Sequence, residues 1–122
     1  MKKQTVAILG ASDKPERFAY KAFHMLREHG HIPLPVTPKL KDIEGIKAVP
    51  TLADLPSPPD TLTMYVGPDI SRNLTDVILK AKPGRVIFNP GTENPELEKK
   101  LKENGIKVVE GCTLVMLRSN QF

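Results

Sequence analysis

The sequence has one cysteine and few aromatic residues, and both shortages narrow the possible functions. A single cysteine in 122 residues allows no internal disulfide and supplies no cysteine pair for a metal. Aromatic residues make up 5% of the chain and Trp is absent, which argues against a platform that stacks single-stranded nucleic acid. No apolar stretch reaches the length of a membrane span, and no signal peptide is recognised. We therefore expect a cytoplasmic protein with no metal, nucleic-acid or membrane partner.

The remaining composition is typical of a small globular protein. Hydrophobic residues account for 39% and charged residues for 26%, and the length suits a single domain over residues 1–122. The net charge of +4 would suit an anionic partner. However, lysines alternate with glutamates in the run 98–103, which predicts a solvated helix face. Three histidines, at positions 24, 29 and 31, have no metal-ligand spacing and are expected at the surface or at a helix end.

The first apolar segment leads into a turn and a helix. Residues 6–9 are continuously apolar, as in a strand covered on both faces. Gly10 allows the backbone to turn sharply and a ligand to come close. Asp13 and Glu16 have the spacing of a capping box, and the apolar periodicity that follows predicts a helix over residues 16–29.

A helix that begins there directs unpaired N–H groups and the positive end of its dipole toward the turn. Ser12 adds a hydroxyl donor, and Lys14 and Arg17 add positive charge. We predict an anion site formed by Gly10, Ala11, Ser12, Lys14 and Arg17. A strand–turn–helix junction without a ligand remains the alternative, because the second glycine of the G-x-G-x-x-G pattern is missing.

Strands and helices alternate along the rest of the chain. Pro33 and Pro35 remove two N–H donors from one side of the second strand, which places it at a sheet edge. We predict an α/β fold, a Rossmann-like three-layer α/β/α sandwich with a mostly parallel sheet of five or six strands. The predicted strands cover residues 32–37, 61–66, 85–89 and 106–109, with a weak flanking strand at 46–49, a capped helical turn at 51–55, and helices from 68 to about 82 and from 94 to 105.

Ligands of such sheets lie beyond the carboxyl ends of the strands. Lys39 follows the second strand, where a nicotinamide-binding fold carries an acidic residue. A cation there favours a phosphorylated ribose, as in NADP or coenzyme A. The segments that end the five strands begin at Gly10, Thr37, Val66, Asn89 and Gly111, and together they predict a groove.

The order of these motifs resembles that of the small bacterial CoA-binding domain proteins, relatives of the CoA-binding domain in the α subunit of succinyl-CoA synthetase. The resemblance rests on residues 6–17, 35–39, 50–55, 89–97 and 109–117 and spans nearly the whole chain. It implies a site for coenzyme A or an acyl-CoA, a small-molecule nucleotide ligand. The phosphohistidine segment of the synthetase has no counterpart here, so the resemblance does not extend to its activity.

The resemblance also implies roles for individual residues. The anion loop, with Lys14 and Arg17, would hold phosphates, and Asn89, Pro90 and Gly91 would line the route of the pantetheine arm. Thr37 stands where asparagine is common in the family. The adenosine and its 3′-phosphate would meet Thr37, Pro38 and Lys39, and the adenine or pantetheine path would be bordered by Val66, Gly67 and Pro68.

Two questions remain open from the sequence. Cys112 either approaches the CoA thiol and forms a mixed disulfide or is a small buried apolar residue. Glu93 and Glu110 are expected to be solvated. The apolar segment 114–117 either closes the core or pairs with a second copy, so the oligomeric state is undetermined. The leading hypothesis is non-catalytic binding of CoA; the alternatives are a small NADP-dependent reductase and a regulatory or interaction module without a ligand.

Overall fold

Strands and helices alternate along the chain, as the hydrophobic pattern predicts. The structure is a computed structural model and describes residues 3–122. None of its helices within that range is long and apolar enough to cross a membrane. The elements are β1 (Thr5–Leu9), α1 (Phe18–Glu28), β2 (Ile32–Val36), β3 (Asp42–Ile43), β4 (Ile46–Lys47), a short 3-10 helix (Leu52–Asp54), β5 (Thr61–Met64), α2 (Pro68–Ser71), α3 (Thr75–Ala81), β6 (Arg85–Phe88), α4 (Pro95–Glu103), β7 (Lys107–Glu110) and α5 (Thr113–Arg118).

Five strands form a parallel sheet in the order β2-β1-β5-β6-β7. β1 pairs with β2 on one side and with β5 on the other, so the direction of strand addition reverses between β1 and β5. The predicted Rossmann-like α/β fold is therefore confirmed, with five parallel strands in the sheet. In folds of this kind the reversal point opens a crevice at the carboxyl ends of the strands.

Helices cover both faces of the sheet because alternate strand residues point to opposite sides. Ile8 of β1 packs with Phe23 of α1 and Leu117 of α5 on one face. On the other face, Ala7 of β1 packs with side chains of α3 and α4. Leu117 is fully buried, so the segment 114–117 forms part of α5 and closes the core from this side.

β2 lies at the edge of the sheet, as its two prolines predict. Ile32 N donates to Gln4 O at 2.9 Å, on the side that faces β1. On the outer side, Val49 makes one bridge: its N–H donates to Pro35 O at 3.1 Å, and Thr37 N donates to Val49 O at 2.9 Å. The predicted flanking strand at 46–49 is therefore a hairpin strand, β4, followed by this single bridge.

The predicted start of the first helix is wrong by two residues. α1 begins at Phe18 with Arg17 as its N-cap, and Asp13 does not cap it. The amide of Lys14 donates instead to Ser12 Oγ at 3.1 Å, and Arg17 N donates to Lys14 O at 3.0 Å. This separate turn forms because a serine hydroxyl competes for nearby backbone groups.

The predicted helix from 68 to about 82 is two helices, α2 and α3. Ser71, the last residue of α2, is fully buried, and its hydroxyl accepts a hydrogen bond from Asn94 Nδ2 at 2.9 Å. This contact fixes the end of α2 against the start of α4, and the chain changes direction before Thr75. The predicted cap at Thr51–Asp54 is confirmed, because Thr51 N donates to Asp54 Oδ2. The predicted helix start at 94 is confirmed too: Asn94 is the N-cap of α4, and Leu97 N donates to its Oδ1.

His31, expected at the surface or at a helix end, follows the end of α1 but is buried, and Glu98, expected on a solvated face, is buried as well. His31 is 4% exposed, packs against Phe122 with 5.0 Å between ring centroids, and accepts a hydrogen bond from Gln4 N on Nδ1. Glu98 is 7% exposed, and its carboxylate accepts the amide hydrogen of Asn94 at 3.0 Å. Burial raises the pKa of Glu98, and the nearby carboxyl of Glu110 raises it further. Both burials arise from tertiary contacts that helical periodicity does not show.

Candidate functional site

A groove of about 790 Å³ lies at the carboxyl edge of the sheet, where the strand order reverses. This volume falls within the range of about 300–1,000 Å³ that is usual for small-molecule sites. Its walls are the segments that follow β1, β2, β5 and β6. Twelve of the fifteen predicted site residues line it: Gly10, Ala11, Ser12, Lys14, Arg17, Thr37, Pro38, Lys39, Val66, Gly67, Pro90 and Gly91.

Gly10 brings the first loop close to the loop after β5. Its φ is +90°, and a Cβ atom at this position would lie 2.9 Å from Val66 Cγ1 and 3.0 Å from Tyr65 O. Only glycine fits both conditions. The amides of Gly10 and Ala11 both donate to Val36 O, at 3.1 and 3.3 Å, so these two N–H groups hold the loop against β2. The donors available to an anion therefore begin at Ser12.

Three cations surround the groove. Lys14, Arg17 and Lys39 are exposed, and within residues 3–122 none of them forms an ion pair. Ser12 Oγ accepts the Lys14 amide, so its own hydrogen can be donated elsewhere. Thr37 is buried and its Oγ1 accepts the amide hydrogen of Lys39 at 3.3 Å. Threonine therefore provides a turn contact before Pro38.

The groove also has apolar walls that the sequence reasoning missed. Phe18 and Ile70 line it and are 66% and 55% exposed, although both are large and apolar. Phe18 belongs to α1 and Ile70 to α2, which come from different sides of the reversal point. Phe18 falls outside the buried stripe of α1, and an aromatic residue off the stripe beside an anion loop was the available clue.

Tyr65 lies between the groove and the core. It lines the groove directly after β5, and its amide donates to Leu9 O at 2.9 Å. Burial raises the pKa of Tyr65 to about 12, while hydrogen bonding to Thr113 acts in the opposite direction. The phenol is therefore protonated at neutral pH, and it offers a hydroxyl group rather than a negative charge.

Asn89 was predicted to line the groove, but its side chain is buried and fully engaged. Its Nδ2 donates to Thr63 Oγ1 at 2.7 Å and to Met64 O at 2.8 Å, and its Oδ1 accepts from Thr113 N at 2.9 Å. It therefore joins the end of β5 to the start of α5. Thr92 N donates to Asn89 O at 2.9 Å and closes the turn that presents Pro90 and Gly91 to the groove.

Comparisons with known proteins identify the family of this chain. The model of the CoA binding domain matches residues 4–118. This chain belongs to the CoA binding domain family. The family resemblance seen in the sequence is thus confirmed.

Relatives of this CoA binding domain include free-standing proteins and parts of larger ones. The uncharacterised protein YneT of Bacillus subtilis is 25% identical over 85% of this chain and 77% of its own length. An uncharacterised protein of known crystal structure is 43% identical, with a TM-score of 0.94 over 100% of both chains. The α subunit of the ADP-forming acetate–CoA ligase II of Pyrococcus furiosus is 29% identical over 70% of this chain. The matched region is 19% of that subunit, so the chain spans about a fifth of it.

Pro68 and Cys112 are not among the residues that line the groove of this CoA binding domain. Pro68 is the exposed first residue of α2, and the lining continues instead through Ile70. Cys112 is half-buried, caps α5 and is absent from the groove lining. The thiol is not fully buried, and Cys112 acts on the pKa of Tyr65, which lines the groove. Its approach to the CoA thiol stays a prediction. Glu93 and Glu110 are exposed, and the Glu93 carboxylate accepts the amide hydrogen of Gly91 at 2.8 Å.

Proposed function

We propose that this chain binds coenzyme A or an acyl-CoA in the groove and acts as a cytoplasmic binding or accessory protein. The observation that carries the proposal is the combination of three cations, unpaired within residues 3–122, with two exposed apolar side chains around one groove. Coenzyme A presents the same combination, since it carries a diphosphate, a 3′-phosphate, an aromatic base and a largely apolar arm. Membership of the CoA binding domain family supports the same ligand.

The proposal assigns each part of the ligand to a wall of the groove. The diphosphate lies at the amino end of α1, where helix N–H groups and the charges of Lys14 and Arg17 favour an anion. The 3′-phosphate lies beside Lys39, and the pantetheine arm passes Val66 and Gly67 toward Pro90. The assignment follows the order of the strands, because loops from neighbouring strands are neighbours in the groove.

The chemistry of the lining favours binding over catalysis. Its ionisable side chains are Asp13, Lys14, Arg17, Lys39 and the protonated phenol of Tyr65. These groups provide positive charge and hydrogen bonds to a phosphorylated ligand. A nucleophile paired with a general base, which covalent catalysis requires, is not found among the lining residues within 3–122.

Calorimetric titration with CoA, 3′-dephospho-CoA, NADP and NAD tests the proposal. We expect CoA to bind, and dephospho-CoA to bind more weakly because it lacks the phosphate that Lys39 would contact. Binding of NADP without any response to CoA would replace the proposal with the reductase hypothesis. No binding of any of the four would favour an interaction module whose fold needs no ligand.

A further inference from the structure

Glu44 occupies a backbone position that disfavours glutamate. β3 and β4 pair through Asp42 with Lys47 and Ile43 with Ile46, and the chain turns through Glu44 and Gly45 alone. Both turn residues have positive φ, +49° and +86°. Two-residue hairpin turns with this conformation prefer asparagine or aspartate followed by glycine, because other side chains are strained there. A glutamate at the first position therefore indicates a contact that compensates for the strain.

The carboxylate of Glu44 makes that contact with α1. Its Oε2 accepts a hydrogen bond from the Tyr20 hydroxyl and lies 2.8 Å from His24 Nε2. Tyr20 and His24 are one helical turn apart, so a single carboxylate oxygen contacts α1 at two points. The Tyr20 hydrogen bond and then the His24 contact hold the pKa of Glu44 below its usual value, and the carboxylate is charged at neutral pH.

This contact connects two walls of the groove. Tyr20 lies in the first turn of α1, three residues after Arg17. The hairpin directly follows the other wall, which Lys39 and Leu40 line, and Ala48 N donates to Lys41 O at 2.9 Å and closes the base of the hairpin. Lys39 precedes that base by two residues. Buried Ile43 also packs with residues of α1, so the hairpin is held against the helix both by this apolar packing and by the Glu44 contact. How the hairpin is held contributes to the position of Lys39 relative to the amino end of α1.

We propose that Glu44 is a positioning residue that fixes the separation between Lys39 and the amino end of α1. This separation selects a ligand that carries a ribose phosphate in addition to its diphosphate. The inference rests on the proposed function. The two phosphate groups of such a ligand are covalently linked, so two cationic walls already held at a matching separation need no ordering on binding. A ligand with the diphosphate alone uses one wall and is insensitive to the separation.

Charge and position predict opposite effects for this residue. Glu44 is negative, so its removal beside a cationic groove would strengthen binding of an anion if its charge were what mattered. Loss of a positioning contact would instead weaken binding, and only for the ligand that spans both walls. The sign of the change in CoA affinity therefore distinguishes the two roles.

Glu44→Gly is the decisive variant, because glycine suits φ of +49° and the hairpin folds without strain. Calorimetry should show about a tenfold loss of CoA affinity, and less than about a twofold change for 3′-dephospho-CoA. The thermal midpoint should change little, because relief of the strain offsets the loss of the contact. Amide hydrogen exchange over residues 38–47 should be faster in the variant without ligand.

Three further variants control the test. Glu44→Gln keeps an acceptor for Tyr20 and should retain most of the CoA affinity. Tyr20→Phe combined with His24→Ala removes the same contact from the helix side, and it should cause no further loss when added to Glu44→Gly. Glu28→Gln removes one exposed negative charge at the far end of α1 and should leave both affinities unchanged.

The outcomes separate this inference from the proposed function. Tighter CoA binding by Glu44→Gly, or equal changes for both ligands, would overturn the positioning role while CoA binding by the wild-type protein stands. Failure of the wild-type protein to bind CoA would overturn the proposed function and this inference with it.

Discussion

At the scale of single residues, Gly10 has a left-handed backbone conformation and also lies against the segment that follows β5, which leaves no room for a Cβ atom. We expect Gly10→Ala to lower the free energy of unfolding by about 2–4 kcal/mol, because strain and the contact with Val66 and Tyr65 O add. Gly105→Ala is the matched control: its φ is +76° but nothing lies within 4 Å, so it should cost only about 1 kcal/mol. Urea unfolding followed by circular dichroism measures both. Equal losses of unfolding free energy would show that the segment with Tyr65 and Val66 shifts to make room for the added Cβ atom.

Lys39 is the residue that the proposed function assigns to the 3′-phosphate. Lys39→Ala should weaken CoA binding by about tenfold, as expected for loss of one charged hydrogen bond at an exposed site. The affinity for 3′-dephospho-CoA should not change. Lys41→Ala removes the same charge two residues later, outside the groove lining, and serves as the control in calorimetry. A similar loss of affinity for both ligands would mean that Lys39 acts through the overall positive electrostatic potential of the groove and not by contact with the 3′-phosphate.

At the scale of elements, Asn89 holds β5 and α5 together beneath the groove. Asn89→Asp replaces the Nδ2 donor with an oxygen that faces Met64 O, so we expect a loss of about 2–4 kcal/mol in the free energy of unfolding. Asn73→Asp makes the same chemical change at an exposed position of the turn after α2 and should be nearly neutral. Chemical denaturation at pH 7 measures the difference. Near-equal stabilities would contradict the role of Asn89.

The elements differ in how much of their structure the sequence predicts. β1 was predictable because the run 6–9 is apolar throughout, and the edge position of β2 followed from Pro33 and Pro35. The start of α1 was not predictable, because Ser12 Oγ and the Asp13 carboxylate are both plausible local acceptors and geometry decides between them. The break between α2 and α3 depends on the contact of Ser71 with a residue 23 positions away.

The candidate site shows the same division. Gly10 and Lys39 were predictable because parallel strands bring their carboxyl ends to one edge of the sheet. Ile70 was not, because an apolar residue is expected to be buried and only the structure shows that it faces the groove. Phe18 was indicated only by its place outside the buried stripe of α1. The buried orientation of Asn89 depends on hydrogen bonds to Thr63 and other residues distant in the sequence.

At the scale of the whole molecule, His31 makes stability depend on pH. Its Nδ1 accepts from Gln4 N, so the neutral ring carries its proton on Nε2, which is buried without a partner within residues 3–122. Burial lowers the pKa of His31 from the usual 6.5, and the nearby charges of His29 and Arg85 lower it further. The unfolded chain therefore binds a proton more readily than the folded protein.

The contribution of neutral His31 to the free energy of unfolding is therefore fully present above pH 6.5. It is lost as the pH falls below that value toward the lowered pKa of the folded protein. We expect the free energy of unfolding to change by at most about 1.4 kcal/mol per pH unit through this residue. His31→Asn keeps an acceptor for Gln4 N and cannot be protonated, so its unfolding free energy should fall less between pH 7 and pH 5. Parallel urea titrations of the two proteins measure this. Identical pH dependence would show that His31 titrates normally in the fold.

The two prolines of β2 have a consequence for how copies of this protein meet at high concentration. An exposed edge strand is a template for strand addition from another chain, and such addition leads to aggregation. Pro33 and Pro35 cannot donate hydrogen bonds on the outer side of β2, and the bridge to Val49 uses the acceptor of Pro35. This edge of the sheet therefore lacks the row of donors that an incoming strand needs, and it resists intermolecular β-pairing.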